Sequence, residues 1–307
     1  MTVPNILGKE FECINKILEK TPNSGVGDDC AIIDQGKQKL LISTDSFIED
    51  VHFSKKTSSL NKIGEKCAEA SISDLAAMGA RPLYMLMAIS SKNTKEIKDI
   101  SDGIALSLKR HNMLLIGGDT TKSNKLFINI TAIGTSKKPV KRSGAKHGDG
   151  VYISSHTGLS SAGLYALQKG IKGYADLEKA HNSPRALTKE GLKISNLANS
   201  MIDISDSLSS ELYHIAFSSN CSILIDTVPI HPSIKKLCKN KKLDPNNFVL
   251  FGGEDYKLLF TSNKYQLAGK LGIRIGTVIK DKKTPKVIFK TKNGSKILRP
   301  KSTYLHF

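Results

Sequence analysis

The sequence NKIGEKCAEASISDLAAMG, residues 61–79, has the apolar spacing of an amphipathic helix. At about 100° per residue, one arc of roughly 80° holds four apolar positions and one acid: Ile63, Cys67, Ala70, Asp74 and Met78. The polar residues Lys62, Lys66, Glu69 and Ser73 lie on other faces. Asp74 is therefore a carboxylate on the stripe predicted to face the core, which is costly unless it is hydrogen-bonded, paired or bound to a metal. The helix alone leaves both a position at the rim of the core and a metal site open.

Further acidic residues share one pattern, because each follows a short apolar strand or lies in a glycine-rich turn. They are Asp28-Asp29, Asp45, Asp119, Asp203, Asp206 and Glu254-Asp255. One Asp beside a Gly is usually an ordinary turn residue. Several of them together would repel one another unless cations lie between them, and Mg²⁺ commonly pairs a few carboxylates with substrate phosphates. The recurring pattern therefore indicates a phosphate site with several metal ions.

Helices alternate with strands along the chain, which predicts an α/β or α+β fold. A strand over residues 40–43 is predicted to deliver Ser43, Thr44 and Asp45 at its end, and a strand over 113–116 to end in the turn GGDTT, residues 117–121. The segment TSKKPVKRSGAKHGDG, residues 135–150, is basic, rich in Gly and interrupted by Pro. Such a composition marks a boundary, and we predict domains over residues 1–137 and 138–307.

The composition of the 307 residues is that of a globular protein, with 39% hydrophobic residues and a formal net charge of +18. This charge raises the hypothesis of nucleic-acid binding. The lysines are scattered, however, and general lysine-rich usage explains the charge better. The five cysteines are far apart and odd in number, so they predict no disulfide framework. No apolar stretch reaches the length of a membrane span. We therefore predict a cytoplasmic location, no membrane association and no nucleic-acid partner.

The usual nucleotide-binding motifs are missing from the sequence. It contains neither the P-loop pattern G-x-x-x-x-G-K-[ST] nor a protein-kinase catalytic loop. Arg142, in the basic segment, could hold a phosphate or lie solvated at the surface. His52 could be a ligand, although a histidine in such a context is more often structural.

Seven segments, in this order along the chain, resemble those of the thiamine-monophosphate kinase family. They are GVGDDCA (25–31), LISTDSFIEDVHF (41–53), SDLAAMGARP (73–82), LIGGDTT (115–121), KRSGAKHGD (141–149), IDISDSL (202–208) and GGEDYKLLF (252–260). The family is part of the superfamily of aminoimidazole ribonucleotide synthetase and selenophosphate synthetase. The resemblance implies a two-domain α+β fold, with an N-terminal sheet that pairs across a homodimer and a C-terminal α/β domain. It also implies ATP-dependent phosphorylation of thiamine monophosphate to thiamine diphosphate with several Mg²⁺ ions.

The resemblance also assigns roles to individual residues. The positions that match metal ligands are Asp29, Ser43, Thr44, Asp45, Asp74, Asp119, Asp203 and Asp206. Those that match ATP contacts are His111, Gly118, Asp119, Arg142 and Ser205. His52, Glu254 and Tyr304 match positions that hold the thiamine substrate.

Three positions depart from the family pattern. Ser207 stands where the family usually has glycine, so its turn must accommodate a Cβ atom. Asp50 also replaces a usual glycine and adds another acid near the substrate. His111 stands where an aromatic residue near the adenine is common. Two alternative functions remain open: another ATP-dependent enzyme of the superfamily, such as a selenophosphate or aminoimidazole ribonucleotide synthetase, and a basic nucleic-acid-binding protein. The first of these synthetases is expected to carry a reactive Cys and Lys in its N-terminal glycine-rich segment, whereas Cys30 is better interpreted as a packing residue.

Overall fold

Two β-sheets organise the chain, one on each side of a segment without helix or strand at residues 137–149. The structure is a computed structural model, and it describes residues 9–23, 25–280, 284–291 and 294–299. Tyr304, predicted to contact the substrate, lies outside the described residues. None of the helices in the described ranges combines the length and the apolar composition that a membrane crossing requires.

The first half of the chain builds a five-stranded sheet with the strand order β1-β2-β5-β3-β4. Its strands are β1 (Ala31–Asp34), β2 (Lys39–Ile48), β3 (Arg81–Ser91), β4 (Leu114–Lys122) and β5 (Phe127–Ser136). Its helices are α1 (Lys9–Lys20), α2 (Leu60–Ala77) and α3 (Thr94–His111). The β3–β4 pair is parallel and the other pairs of this sheet are antiparallel.

The second half builds a seven-stranded sheet with the order β12-β11-β8-β10-β6-β9-β7. Its strands are β6 (Gly150–Ile153), β7 (Ser200–Asp203), β8 (Ser222–Ile225), β9 (Leu258–Ser262), β10 (Ile273–Ile279), β11 (Val287–Thr291) and β12 (Gly294–Ile297). Its helices are α4 (Leu159–Gln168), α5 (Ala175–Asn182), α6 (Thr188–Ile194), α7 (Leu208–Ser218), α8 (Pro232–Lys241), α9 (Pro245–Phe251) and α10 (Tyr265–Ala268). Helices and strands in both halves fit the predicted α+β class.

Helix α2 lies between the two halves. It ends, as predicted, next to Gly79, whose φ of +64° is the left-handed conformation favoured after a helix. Two glycines allow neighbouring helices to cross α2 closely. A Cβ on Gly103 of α3 would lie 1.9 Å from a carbonyl oxygen of α2, and a Cβ on Gly191 of α6 would lie 2.3 Å from another. Fourteen of the eighteen α2 residues are buried. The prediction of one buried face was therefore wrong, because neighbours on both sides also bury polar positions such as Lys66 and Glu69.

Two predicted strand ends were also wrong. Ser43, Thr44 and Asp45 lie in the middle of β2, which continues to Ile48 because the whole strand is paired with β5. The sequence 117–121 is part of strand β4 and not a turn, since it pairs with β3 in parallel register. The approach of these strands is so close at Gly118 that an added Cβ would lie 1.8 Å from the carbonyl oxygen of Met87. Residues 117–121, the polar part of β4, have no apolar pattern from which a strand could be predicted.

The two halves share part of their hydrophobic core. Ala76 and Ala77 of α2 pack in one buried cluster with Tyr152, Met201 and Phe260 of the second half. The division at residues 137 and 138 remains a prediction, although it falls between the last strand of the first sheet and the first strand of the second.

Candidate active site

A cavity of about 320 Å³ opens where β2 and α2 meet the second half of the chain. Many residues predicted for the site line it together: Thr44, Asp45, His52, Asp74, Asp203, Ser205, Asp206 and Glu254. They come from segments as distant in sequence as β2 and the loop before β9. The fold therefore assembles one acidic cavity from both halves.

Three carboxylates converge beside this cavity. Asp29, Asp74 and Asp203 each contribute an oxygen atom, and these atoms lie within 4.8 Å of one another. The Oδ2 atom of Asp29 is buried and has no hydrogen-bond partner among the described residues. Converging carboxylates with an unsatisfied buried oxygen fit a hard divalent cation such as Mg²⁺. We call these three residues the acidic triad.

Burial and mutual repulsion disfavour the ionised form of the triad. Burial, followed by the charges of Asp45 and Asp203, raises the pKa of Asp74 well above its usual range. Burial, followed by the charge of Asp29, raises the pKa of Asp203 to about 7. Burial also raises the pKa of Asp29, although the Arg142 guanidinium partly offsets this effect. Without a cation, the triad therefore retains protons at pH values where an exposed carboxylate is ionised.

Two serine hydroxyls orient the triad. Ser43 of β2 donates a hydrogen bond to Asp74 Oδ2. Ser73 donates to Asp203 Oδ2 across 2.6 Å and thereby connects α2 to β7. Sequence reasoning placed Ser43 in the site and missed Ser73, because Ser73 lies on another face of the helix from Asp74.

Arg142 contacts the triad directly. Its Nη2 and Nε atoms lie 2.7 and 3.2 Å from Asp29 Oδ1, and its backbone N–H donates to Asp28 Oδ1 across 2.9 Å. Burial by itself would lower the pKa of Arg142, but the charge of Asp29 and its hydrogen bond, together with the charges of Glu211 and Asp74, outweigh burial, and the pKa is raised. This guanidinium is a fixed positive charge beside the carboxylates. Its predicted contact with ATP remains a prediction.

Some predicted residues lie away from the cavity. In the sheet register, Asp45 pairs with Ile130, Ile130 with Met87 and Met87 with Gly118. Three strand spacings place Gly118, with its neighbour Asp119, about 14 Å along the sheet from Asp45. Both residues are exposed on β4.

The predicted adenine contact His111 does not line the cavity, and its contact with ATP remains a prediction. Its side chain is 5% exposed, and Nε2 lies 3.0 Å from Glu69 Oε2. Its Nδ1 atom lies 3.1 Å from the Thr188 hydroxyl. These contacts connect α3 to α2 and α6.

Sequence reasoning missed Glu211 in α7. This residue is 2% exposed, and its Oε1 atom accepts a hydrogen bond from the backbone N–H of Asp206 at 3.1 Å. Burial, followed by the charge of Asp206, raises its pKa well above the usual range. An acid in the first turn of a predicted helix after Asp206 was the available signal.

The two glycine replacements differ in their consequences. Ser207 has a φ of −174°, which any residue adopts, and its hydroxyl accepts from the N–H of Ser210 as the N-cap of α7. Asp50 has a φ of +66°, in the left-handed region that favours glycine. The Cβ of Ser207 is therefore accommodated without strain, whereas Asp50 retains the unfavourable backbone.

Mg²⁺ is expected to raise the melting temperature by roughly 5 °C at pH 8 and by much less at pH 5. Because the folded-state pKa values of the triad are raised, the folded protein binds more protons than the unfolded chain between about pH 4 and 7. The stabilising protons are lost as the pH rises through about 7, where Asp203 titrates. Mg²⁺ then binds without displacing them. Thermal denaturation with Mg²⁺, compared with NaCl of equal ionic strength, measures the shift of the melting temperature at both pH values. Equal shifts at pH 8 and pH 5 would contradict the assignment of the triad as a Mg²⁺ site.

Comparisons with known proteins show which family the chain is similar to. Residues 27–136 match the family model described as AIR synthase related protein, N-terminal domain. A thiamine-monophosphate kinase of Buchnera aphidicola (subspecies Schizaphis graminum) is 36% identical over 97% of this chain and 98% of its own length. A crystal structure of thiamine-monophosphate kinase from Aquifex aeolicus is 28% identical over 94% of this chain and 97% of that chain, with a TM-score of 0.82.

A further solved structure is described as AaThiL complexed with AMPPCP and TMP. It is 29% identical and covers 100% of this chain and 99% of that chain, with a TM-score of 0.88. These similarities confirm the predicted fold class and the predicted family resemblance. The pairing of the N-terminal sheet across a homodimer stays a prediction.

Proposed function

The chain belongs to the thiamine-monophosphate kinase family, and on this premise we propose that it transfers the γ-phosphoryl group of ATP to thiamine monophosphate, which yields thiamine diphosphate and ADP. The observation that carries the proposal is the convergence of the acidic triad with Asp45, Asp206 and Glu254 at one cavity. A structural relative that covers the full chain binds TMP together with AMPPCP, an ATP analogue. One acidic cavity suits two phosphate-bearing substrates only if cations accompany them.

We propose Mg²⁺ as that cation. The residues that would hold it are those of the acidic triad together with Asp45 and Asp206, with Ser43, Thr44 and Asp119 as the further ligands implied by sequence. Bound Mg²⁺ neutralises phosphate charge and thereby allows two polyanions to approach. The protein contributes fixed orientation, because Ser43 and Ser73 hold Asp74 and Asp203 in place.

The transfer is proposed to be direct and in line. The acceptor is a phosphate monoester whose second pKa is near 6, so its oxygen is largely ionised at neutral pH and needs no strong general base. The task of the chain is to position the substrates and to stabilise charge, which is the usual division of labour in phosphoryl transfer. Ser205 and Arg142 are proposed to bind ATP, and His52 and Glu254 to hold the thiamine substrate.

A second copy of the chain is proposed to complete the site. Strand β4 lies at one end of its sheet and exposes three consecutive apolar side chains, Leu114, Leu115 and Ile116, at 65%, 48% and 53%. An exposed apolar edge strand favours pairing with another chain. The same strand carries Gly118 and Asp119, which lie away from the cavity of their own chain. A homodimer that covers β4 would account for both observations.

The cytoplasm remains the proposed location. The five cysteines form no disulfide, and four of them are buried. Free thiols are typical of a reducing compartment.

ADP release tests the proposed function. With ATP and Mg²⁺ present, we expect ADP release that requires thiamine monophosphate and that is absent with thiamine as acceptor, because thiamine lacks the phosphate that accepts the transferred group. Rapid quenching with γ-³²P-labelled ATP is expected to show no phosphorylated enzyme. ADP release that is equally fast without thiamine monophosphate would overturn the proposal, and a burst of phosphorylated protein would overturn the direct transfer.

A further inference from the structure

Lys66 is a buried lysine on α2, next to the cavity but outside its lining. The residue is 6% exposed, although lysine is rarely buried unless it is paired. Its Nζ atom lies 2.9 Å from Glu254 Oε2. The two residues are 188 positions apart in sequence, so this ion pair connects the central helix with the loop that follows α9.

Glu254 also has an unfavourable backbone conformation. Its φ is +62°, in the left-handed region that non-glycine residues rarely adopt. The backbone N–H of Glu254 donates to the carbonyl oxygen of Ser205 across 2.6 Å. A Cβ on the preceding Gly253 would lie 2.3 Å from the carbonyl oxygen of Asp206. The loop is therefore pressed against the segment that carries Ser205 and Asp206, and it presents Glu254 to the cavity.

Lys66 is the cation that balances Glu254. A second basic group near the carboxylate is His181, whose Nδ1 atom lies 3.6 Å from Glu254 Oε2. Burial, followed by the charge of Lys66, lowers the pKa of His181 to about 4, so this ring is neutral at pH 7. The His181 ring also lies 3.2 Å from the Ser160 hydroxyl. Of these two basic groups, Lys66 is therefore the one that faces the Glu254 carboxylate as a cation at neutral pH.

We propose that Lys66 is a positioning residue for the acceptor substrate, because its ammonium group fixes the carboxylate of Glu254 at the cavity wall. The inference rests on the proposed function, in which Glu254 holds the thiamine substrate. It adds that binding of thiamine monophosphate depends on a lysine that does not line the cavity. Binding of ATP, assigned to other residues, does not depend on it.

The experiment compares steady-state kinetics of wild-type protein with those of K66M, K66R and the matched control K62M. Lys62 is on the same helix and is exposed. K66M is expected to raise KM for thiamine monophosphate by about tenfold, the size typical of a lost hydrogen bond to a charged group. KM for ATP is expected to stay within about twofold, and K66R to recover most of the loss. K62M is expected to match the wild type.

A double-mutant cycle separates positioning from a general packing role. The double variant K66M/E254Q is expected to bind thiamine monophosphate no more weakly than E254Q alone, since both act through the same carboxylate. Turnover by the wild type tests the proposed function. The KM for thiamine monophosphate of each variant, divided by that of the wild type, tests the role of Lys66. An unchanged KM for thiamine monophosphate in K66M would overturn the inference. Equal increases of both KM values, or additive effects in the double variant, would also overturn it.

Discussion

Asp74→Asn is expected to lower kcat by about a thousandfold while leaving the protein folded. Asp74 lies on α2 among three carboxylates whose oxygen atoms converge within 4.8 Å. Replacing it by the isosteric amide removes a charge that would bind Mg²⁺, but the side chain still offers an oxygen to the Ser43 hydroxyl. Turnover at saturating Mg²⁺ and substrates, with circular dichroism on the same samples, measures both parts of the prediction.

The metal-free stability of this variant distinguishes a metal site from a structural carboxylate. Burial, followed by the charges of Asp45 and Asp203, raises the pKa of Asp74, so ionisation of this carboxyl group costs free energy in the metal-free folded state. Metal-free Asp74→Asn is therefore expected to melt at the same temperature as the wild type or higher. Asp102→Asn, at an exposed position of α3, is the matched control. It should change neither the turnover nor the metal-free melting temperature. An unfolded Asp74→Asn protein would favour a structural role for the carboxylate.

Ile116→Lys is expected to weaken the proposed homodimer by at least about a hundredfold, because the edge of β4 would then carry a buried and unpaired ammonium. Activity is expected to fall as the dimer is lost, since Gly118 of β4, with its neighbour Asp119, lies about 14 Å along the sheet from Asp45 at the cavity of its own chain. Analytical ultracentrifugation together with turnover over a range of enzyme concentrations measures the two effects.

The control for this substitution is Leu267→Lys, at a 52% exposed position of α10 in the second half of the chain. This variant should have the same molecular mass in solution and the same turnover as the wild type. The lost activity of Ile116→Lys should return in part at high protein concentration, where mass action restores the dimer. A fully active monomer would show that each cavity works without a second copy.

The helix α2 was predictable from sequence, whereas its surroundings were not. The apolar spacing from Ile63 to Met78 is a local property, and the left-handed Gly79 marks its end. The burial of Lys66 and Glu69 depends on partners in remote segments, Glu254 for the first and Arg110 and His111 for the second. The apolar periodicity describes the helix by itself, so it cannot show that neighbouring elements bury the helix on both sides.

The same limit applies to the site. Acids after short strands could be recognised one by one, and the ordered motifs related them to a family. The meeting of Asp29, Asp74 and Asp203 depends on how α2 packs against β7, which no local pattern encodes. Glu211 was missed because its contact is with a backbone N–H of Asp206. His111 matched a motif position, but its burial against Glu69 is a tertiary contact.

The most direct test of the account is chromatographic identification of the product made from thiamine monophosphate, ATP and Mg²⁺. We expect thiamine diphosphate and ADP in equal amounts from the wild type, and neither product from Asp74→Asn on the same time scale. Formation of AMP and free phosphate without thiamine diphosphate, or ADP without any phosphorylated thiamine product, would contradict it.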